Sequence, residues 1–123
     1  MAQSRHFLND RAGVFAVGWP EASKVLRHMA RLRRVSPASV QPVVEQLLRM
    51  VDLEEAADRY VAAYSSGLRA RLSLALALVG APPVLLLDKP TAHLDPIARR
   101  RAWHCVLTFA KKTHAAVLLA TDE

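Results

Sequence analysis

Between Tyr64 and Asp95 the chain reads YSSGLRARLSLALALVGAPPVLLLDKPTAHLD, a run of local signals whose order leaves little freedom in what can form. Ser65 and Ser66 can cap a helix, and Leu68, Leu72, Ala75, Leu76 and Val79 return at helical spacing behind them. Gly80 stands where a helix C-terminus wants a residue free to take positive φ, and Pro82 and Pro83 prevent continuation. Val84 to Leu87 is a short continuous apolar run, which predicts a strand buried on both faces. Asp88 falls at the C-terminal end of that strand, where open α/β sheets hold their ligands.

Three pieces of this stretch resemble the nucleotide-binding domain of ATP-binding cassette (ABC) transporters. Ser65, Ser66 and Gly67 stand where that family has its Ser-Gly-Gly signature. Leu85 to Asp88 stand where it has the Walker B strand, and Thr91, Ala92, His93, Leu94 and Asp95 resemble its D-loop. Tyr64 before the signature and the Arg69/Arg71 pattern after it look most like subfamily A, the lipid-exporting branch. Three linked motifs in order and at the right spacing are far more specific than a lone glycine motif. The resemblance, placed from about Glu21 to the end, implies an α/β chain. It would be a partial P-loop NTPase (ABC cassette) fold: a helical subdomain plus the Walker B part of the core sheet, with the N-terminal phosphate-loop half absent. On this reading residues 1–123 form a single partial domain. About 21–79 are the helical subdomain with the signature helix, and 80–123 carry Walker B, the D-loop and the following helix and strand.

The flanking sequence agrees with that organisation. From Glu21 to Arg34, Val25, Leu26, Met29 and Leu32 share one helical face with arginines opposite. Ser36 and Pro37 offer an N-cap and a first-turn proline for a helix running to about Val51. A third, shorter helix is expected over Leu53 to Tyr60. Pro96 begins another helix, with Trp103, Val106, Leu107 and Ala110 as its buried stripe, and Val117 to Thr121 reads as a second buried strand. His28 and Met29 read as surface and core residues, since no second metal-binding group sits at a helical offset. Near the start, Gly13 to Gly18 has the glycine spacing of a phosphate loop, but Trp19 and Pro20 follow where Lys and Ser/Thr are needed. That run reads as a short strand or buried turn, and Gln3 does not match the family's Q-loop glutamine.

Bulk properties narrow the function classes. A length of 123 residues suits one small domain, and 52% hydrophobic with 23% charged residues is globular rather than disordered. Cys105 is the single cysteine, which excludes an internal disulfide and a cysteine metal site and suits a reducing compartment. No apolar N-terminal segment resembles a signal peptide, and Leu72 to Leu87 is too interrupted to span a bilayer. The net charge of +6 raises nucleic acid as a partner. Its arginines are dispersed over Arg27 to Arg34, Arg69/Arg71 and Arg99 to Arg101, with no stacking aromatics among them. A solvated face, or one near anionic lipid head groups, accounts for them better.

The resemblance also assigns roles. A working cassette hydrolyses ATP with Mg²⁺ between two domains facing head to tail, by positioning and charge stabilisation around the γ-phosphate. Asp88 matches the aspartate that holds Mg²⁺ through water; the alternative is an aspartate that only stabilises its loop. Ser65, Ser66 and Gly67 would face nucleotide, although Ser66 replaces the first glycine and a plain Ser-Ser cap explains the same residues. Lys89 occupies the catalytic-glutamate position, and an ammonium cannot accept a proton at neutral pH, which typically costs about 10²–10⁴ in rate. Asp122 occupies the switch-histidine position, where a carboxylate repels phosphate; a Lys89–Asp122 ion pair is one expectation from this exchange. The implied partners are a second nucleotide-binding domain and transmembrane domains, at the cytoplasmic face of a membrane. The expected function is an ABC component resembling the ATPase domain of a lipid transporter, unable to bind or hydrolyse ATP alone. The alternatives are a non-catalytic interaction module, or an inactive gene fragment, pairing with a full cassette.

Overall fold

The computed structural model describes residues 20–120. Four helices and two strands follow in the order α1 (Ala22–Leu32), α2 (Pro37–Met50), α3 (Ser66–Leu78), β1 (Val84–Asp88), α4 (Pro96–Thr113) and β2 (Ala116–Ala120). A single 3-10 turn, Val61–Ala63, precedes α3. The glycine spacing at Gly13 to Gly18, Gln3 and Asp122 lie outside the described residues, and with them the Lys89–Asp122 pair.

α1 buries Ala22, Val25, Leu26, Met29 and Ala30, the helical stripe that the sequence announces, while Leu32 is exposed. α2 opens with Pro37 at its first position and buries Val40, Val44, Leu47 and Leu48. Ser36 is its N-cap residue, but the serine hydroxyl meets the Ser39 hydroxyl at 3.0 Å instead of capping the backbone. α1 and α2 pack on each other and both pack on α3, which in turn lies against β1 and α4. This central position explains why α3 is buried nearly all round from Leu74 to Leu78, with no polar face in that half.

β1 and β2 pair in parallel, in register from Val84↔Ala116 to Asp88↔Ala120, with α4 as the crossover. The expectations of a first strand buried on both faces and of a second buried strand are corrected. In β1 only Leu85 and Leu87 are fully buried, whereas Val84 is 43% exposed. β2 has no fully buried residue, and Leu118 and Leu119 are 61% and 46% exposed. The described helices cover one face of this two-stranded sheet and leave the other apolar face open.

Two further expectations are corrected. Leu53 to Tyr60 is a run of turns, with Ala56, Ala57 and Arg59 N–H groups donating three residues back. Tyr60 is pulled into an antiparallel bridge with Glu21, so its backbone is extended where a helix would need to continue. In α4 the buried stripe is Ala98, Ala102, Cys105, Val106 and Phe109, while Leu107 is 66% exposed and Trp103 only half-buried. The inward face thus carries small Ala98 and Ala102 beside Val106 and Phe109, a pattern that side-chain size alone does not announce.

Arg33 departs from the solvated arginine face assigned to its segment. It follows the last residue of α1, and its Nη1 donates to the Val79 carbonyl at 2.8 Å and the Leu76 carbonyl at 2.9 Å. A weaker contact reaches the Ala77 carbonyl at 3.4 Å. One guanidinium thus collects the carbonyls at the C-terminus of α3, where the helix dipole favours a cation. Burial lowers its pKa from the ordinary arginine value. Gly80, at φ +79°, lies beneath the same side chain, and a Cβ there would stand 3.1 Å from the Arg33 Cβ.

Candidate functional site

The N-terminus of α3 and the loop leaving β1 meet on one surface. Ser65 has extended backbone and acts as the N-cap of α3, its Oγ accepting from the Leu68 N–H at 3.2 Å. The Arg69 N–H donates to the Ser65 carbonyl at 2.9 Å. The Ser66 and Gly67 N–H groups have no partner among the described residues, and they sit at the positive end of the helix dipole. Ser65 and Ser66 are exposed and Gly67 is half-buried.

Over this helix start lies the carbonyl of His93. A Cβ built on Gly67 would stand 3.6 Å from that oxygen and 3.9 Å from the Ser65 Oγ, an ordinary contact. Neither Ser66 nor Gly67 has positive φ, so the backbone at Ser66 does not demand glycine. Any cost of Ser66 comes from the space its side chain takes at the surface, and not from strain.

The loop itself is a succession of tight turns. The Ala92 N–H donates to the Lys89 carbonyl at 3.2 Å, and the Leu94 N–H to the Thr91 carbonyl at 3.1 Å. Thr91 and Leu94 are buried and anchor the loop, while Ala92, His93 and Asp95 are exposed. Asp95 then caps α4, its carboxylate accepting from the Ala98 N–H at 2.8 Å, with Pro96 at the first helical position.

Asp88 and Lys89 stand at the carboxyl end of β1, both exposed. Lys89 has left-handed backbone, φ 48°, and its N–H donates to the Ala120 carbonyl at 2.7 Å, which ties the loop to the end of β2. Such backbone costs a non-glycine residue about 1–2 kcal/mol. Among the described residues no group of three or more His, Cys, Asp or Glu could hold a metal ion. Asp88 offers one carboxylate, which suits a hard cation arriving with phosphates better than a resident ion.

Sequence reasoning missed Arg33, because nothing in an Arg-rich helix end marks which arginine turns inward. It also missed a cavity of about 660 Å³ between the C-terminal end of α2, the first half of α3 and α4. No local signal could have found that cavity, since three separate segments form it. No helix among the described residues is long and apolar enough to cross a membrane.

Comparison with known proteins assigns the chain. Residues 3–92 match the family model described as ABC transporter, so the likeness begins well before Glu21, where the motifs alone placed it. The human "ATP-binding cassette sub-family A member 13" is 39% identical over 109 residues, which is 89% of this chain and 2% of that protein. The mouse "Retinal-specific phospholipid-transporting ATPase ABCA4" is 40% identical over 89 residues, 72% of this chain and 4% of the relative. "ABC transporter A family member 11" of Arabidopsis thaliana is 40% identical over 93 residues, 76% of this chain and 10% of the relative. The chain therefore spans a tenth or less of the length of each of these relatives. It belongs to the ABC transporter family, as a nucleotide-binding-domain sequence most like those of subfamily A.

Proposed function

We propose that this chain contributes a signature and D-loop surface to a composite ATP site whose phosphate loop comes from another cassette, and that it does not turn over ATP alone. The observation that carries the reading is the stacking of the His93 carbonyl over the start of α3. It brings the exposed Ser65–Gly67 turn and the loop Thr91–Asp95 to one face. In this role the Ser66 and Gly67 N–H groups receive phosphate oxygens, with the helix dipole adding to the attraction. Asp88 lies on the other side of the head-to-tail arrangement: as a Walker B carboxylate it would serve the second site of the pair, meeting Mg²⁺ through water, with the cation supplying charge neutralisation on the phosphates when bound. Lys89 beside it cannot act as the base toward water, which supports the absence of turnover at that second site. Partners of this kind are a second nucleotide-binding domain and transmembrane domains, holding the chain at the cytoplasmic face of a membrane, and lipid export belongs to that assembly.

Two measurements test this. The purified full chain with Mg-ATP should show no turnover, and turnover that disappears with Asp88→Asn would overturn the reading. Mixed with a subfamily A cassette that has an intact phosphate loop, the chain should associate in an ATP-dependent way. Ser66→Trp, which blocks the exposed turn without touching the core, should weaken that association at least about tenfold, the equivalent of about 1.4 kcal/mol. ATP-independent association, or indifference to Ser66→Trp, counts against the proposed surface.

The open face of the sheet, where exposed Leu118 lies beside Leu86 with Val84 two residues before it, favours a second reading as an interaction module that works without nucleotide. That reading predicts association with a cassette in the absence of ATP, and its loss when Leu118 is changed to Glu.

A further inference from the structure

The cavity between α2, α3 and α4 has a two-part lining that the ATP-site reading does not use; Ser65, Ser66, Gly67, Asp88 and Lys89 take no part in it. Its floor is aliphatic: Met50, Leu74, Leu94, Ala98, Ala102 and the thiol of Cys105. Its rim carries four arginines, Arg49, Arg71, Arg100 and Arg101, against one carboxylate, Asp52. Asp52 is shared, 3.2 Å from Arg101 and 3.9 Å from Arg71, which leaves Arg49 and Arg100 without an ion-pair partner among the described residues. A volume of about 660 Å³ is of small-molecule size. Isolated buried apolar surface would not need such a rim, and a purely electrostatic anion site would not need such a floor.

We infer that this cavity binds an anionic amphiphile, an aliphatic chain lying on the α3–α4 floor with its carboxylate or phosphate head held by the arginine rim. The lining favours an aliphatic tail over a nucleotide base. No Phe, Tyr or Trp lines it; exposed His104 is its one aromatic ring and Thr108 its one hydroxyl side chain, against an apolar floor of six residues. It also decides against a neutral lipid, since the unpaired guanidiniums would gain nothing from an uncharged head. Arg49 and Arg100 are exposed, so they can reach a head group at the mouth while the chain leaves water. This inference stands independently of the composite ATP site.

The test uses the full chain with a dansyl-tagged undecanoic acid, its methyl ester as the uncharged control, and fluorescence as readout. The acid should bind saturably at one site, and the ester at least about tenfold more weakly. Arg49→Gln with Arg100→Gln should weaken the acid by about tenfold and leave the ester unchanged. Cys105 is the sole thiol and lies in the floor, so its modification by N-ethylmaleimide reports occupancy without any substitution. Saturating acid should slow that modification several-fold. Displacement by laurate at lower concentration than by lysophosphatidic acid identifies a fatty acid as the source of the head group, and the reverse order identifies a lipid phosphate. Equal binding of acid and ester, or binding that leaves Cys105 reactivity unchanged, would overturn the inference. The latter would place the probe on the open sheet face at Leu118 instead.

Discussion

Removing the Arg33 guanidinium should destabilise the chain more than any other change at an accessible arginine. In Arg33→Ala two short charge-assisted hydrogen bonds are lost, to Val79 O at 2.8 Å and Leu76 O at 2.9 Å, together with the longer one to Ala77 O. Hydrogen bonds to charged groups contribute about 1.5–3 kcal/mol, and a cation at a helix C-terminus about 0.3–1 kcal/mol. The Val79 side chain is fully buried, so water reaches the abandoned carbonyls poorly and compensates little. Counting the forked contacts of the single, part-buried Nη1 as about one charged hydrogen bond gives about 2–4 kcal/mol in total, a large share of the 5–15 kcal/mol typical of a domain. Urea unfolding followed by far-UV circular dichroism should show the midpoint falling by about 1–2 M for a typical slope. Arg33→Lys keeps the charge but not the fork, and should recover less than half of the loss. An Arg33→Ala midpoint within about 0.3 M of the parent would refute the view that this side chain closes α3.

Phe109→Ala should cost about 3–5 kcal/mol and Leu107→Ser less than about 0.5 kcal/mol, by the same unfolding assay, because Phe109 is buried and Leu107 is not. Comparable losses would restore the stripe centred on Leu107. Arg34 follows α1 at φ 63°, where glycine is free of the Cβ penalty, so Arg34→Gly should raise stability by about 0.5–1 kcal/mol. A drop in thermal midpoint would argue against a left-handed cap there. Burial pushes the Tyr64 phenol above its ordinary pKa, and its hydroxyl donates to the Ala56 carbonyl at 2.6 Å. The folded state then holds this proton more tightly than the unfolded one. Its contribution is fully present below about pH 10 and is lost as pH rises through the raised folded value. Tyr64→Phe should flatten the loss of stability above about pH 10, and an unchanged slope would remove Tyr64 as its source.

What was legible in the sequence is the part carried by local signals. Gly80 with Pro82 and Pro83 announces the end of α3, and the φ of +79° at Gly80 is what such a stop requires. Three other helices stop without any such mark. After α1 and α2 the left-handed residues are Arg34 and Asp52, and α4 ends on His114 at φ 58°. The first two are held by bonds from the next residue, Val35 N–H to Ala30 O at 3.0 Å and Leu53 N–H to Leu48 O at 2.8 Å. Leu53 is 1% exposed, so burial of a residue beyond the helix stabilises the turn that its neighbour's identity does not advertise. The turns after Leu53 and the inward face of α4 were illegible for a related reason. Both are decided by what packs against them, and neither shows in a window of one helix length.

The site residues divide along the same line, and that division bears on what the strand end could do. Ser65 and Asp95 match the family pattern, but each also caps a helix, at 3.2 Å and 2.8 Å, so this fold needs them whether or not phosphate arrives. Their presence therefore says little about nucleotide. The discriminating positions are those whose side chains cap no helix. At Ser66 the backbone is free of the left-handed strain that would require glycine, so only the room for an outside group is at stake. At Lys89 the change is one of charge. On the proposed reading, where a cassette places two carboxylates in succession Asp88 is followed here by an ammonium, which removes repulsion toward a polyphosphate together with the group that would activate water. Both consequences point the same way. On the proposed reading, a strand end of this charge favours holding a polyphosphate over cleaving it.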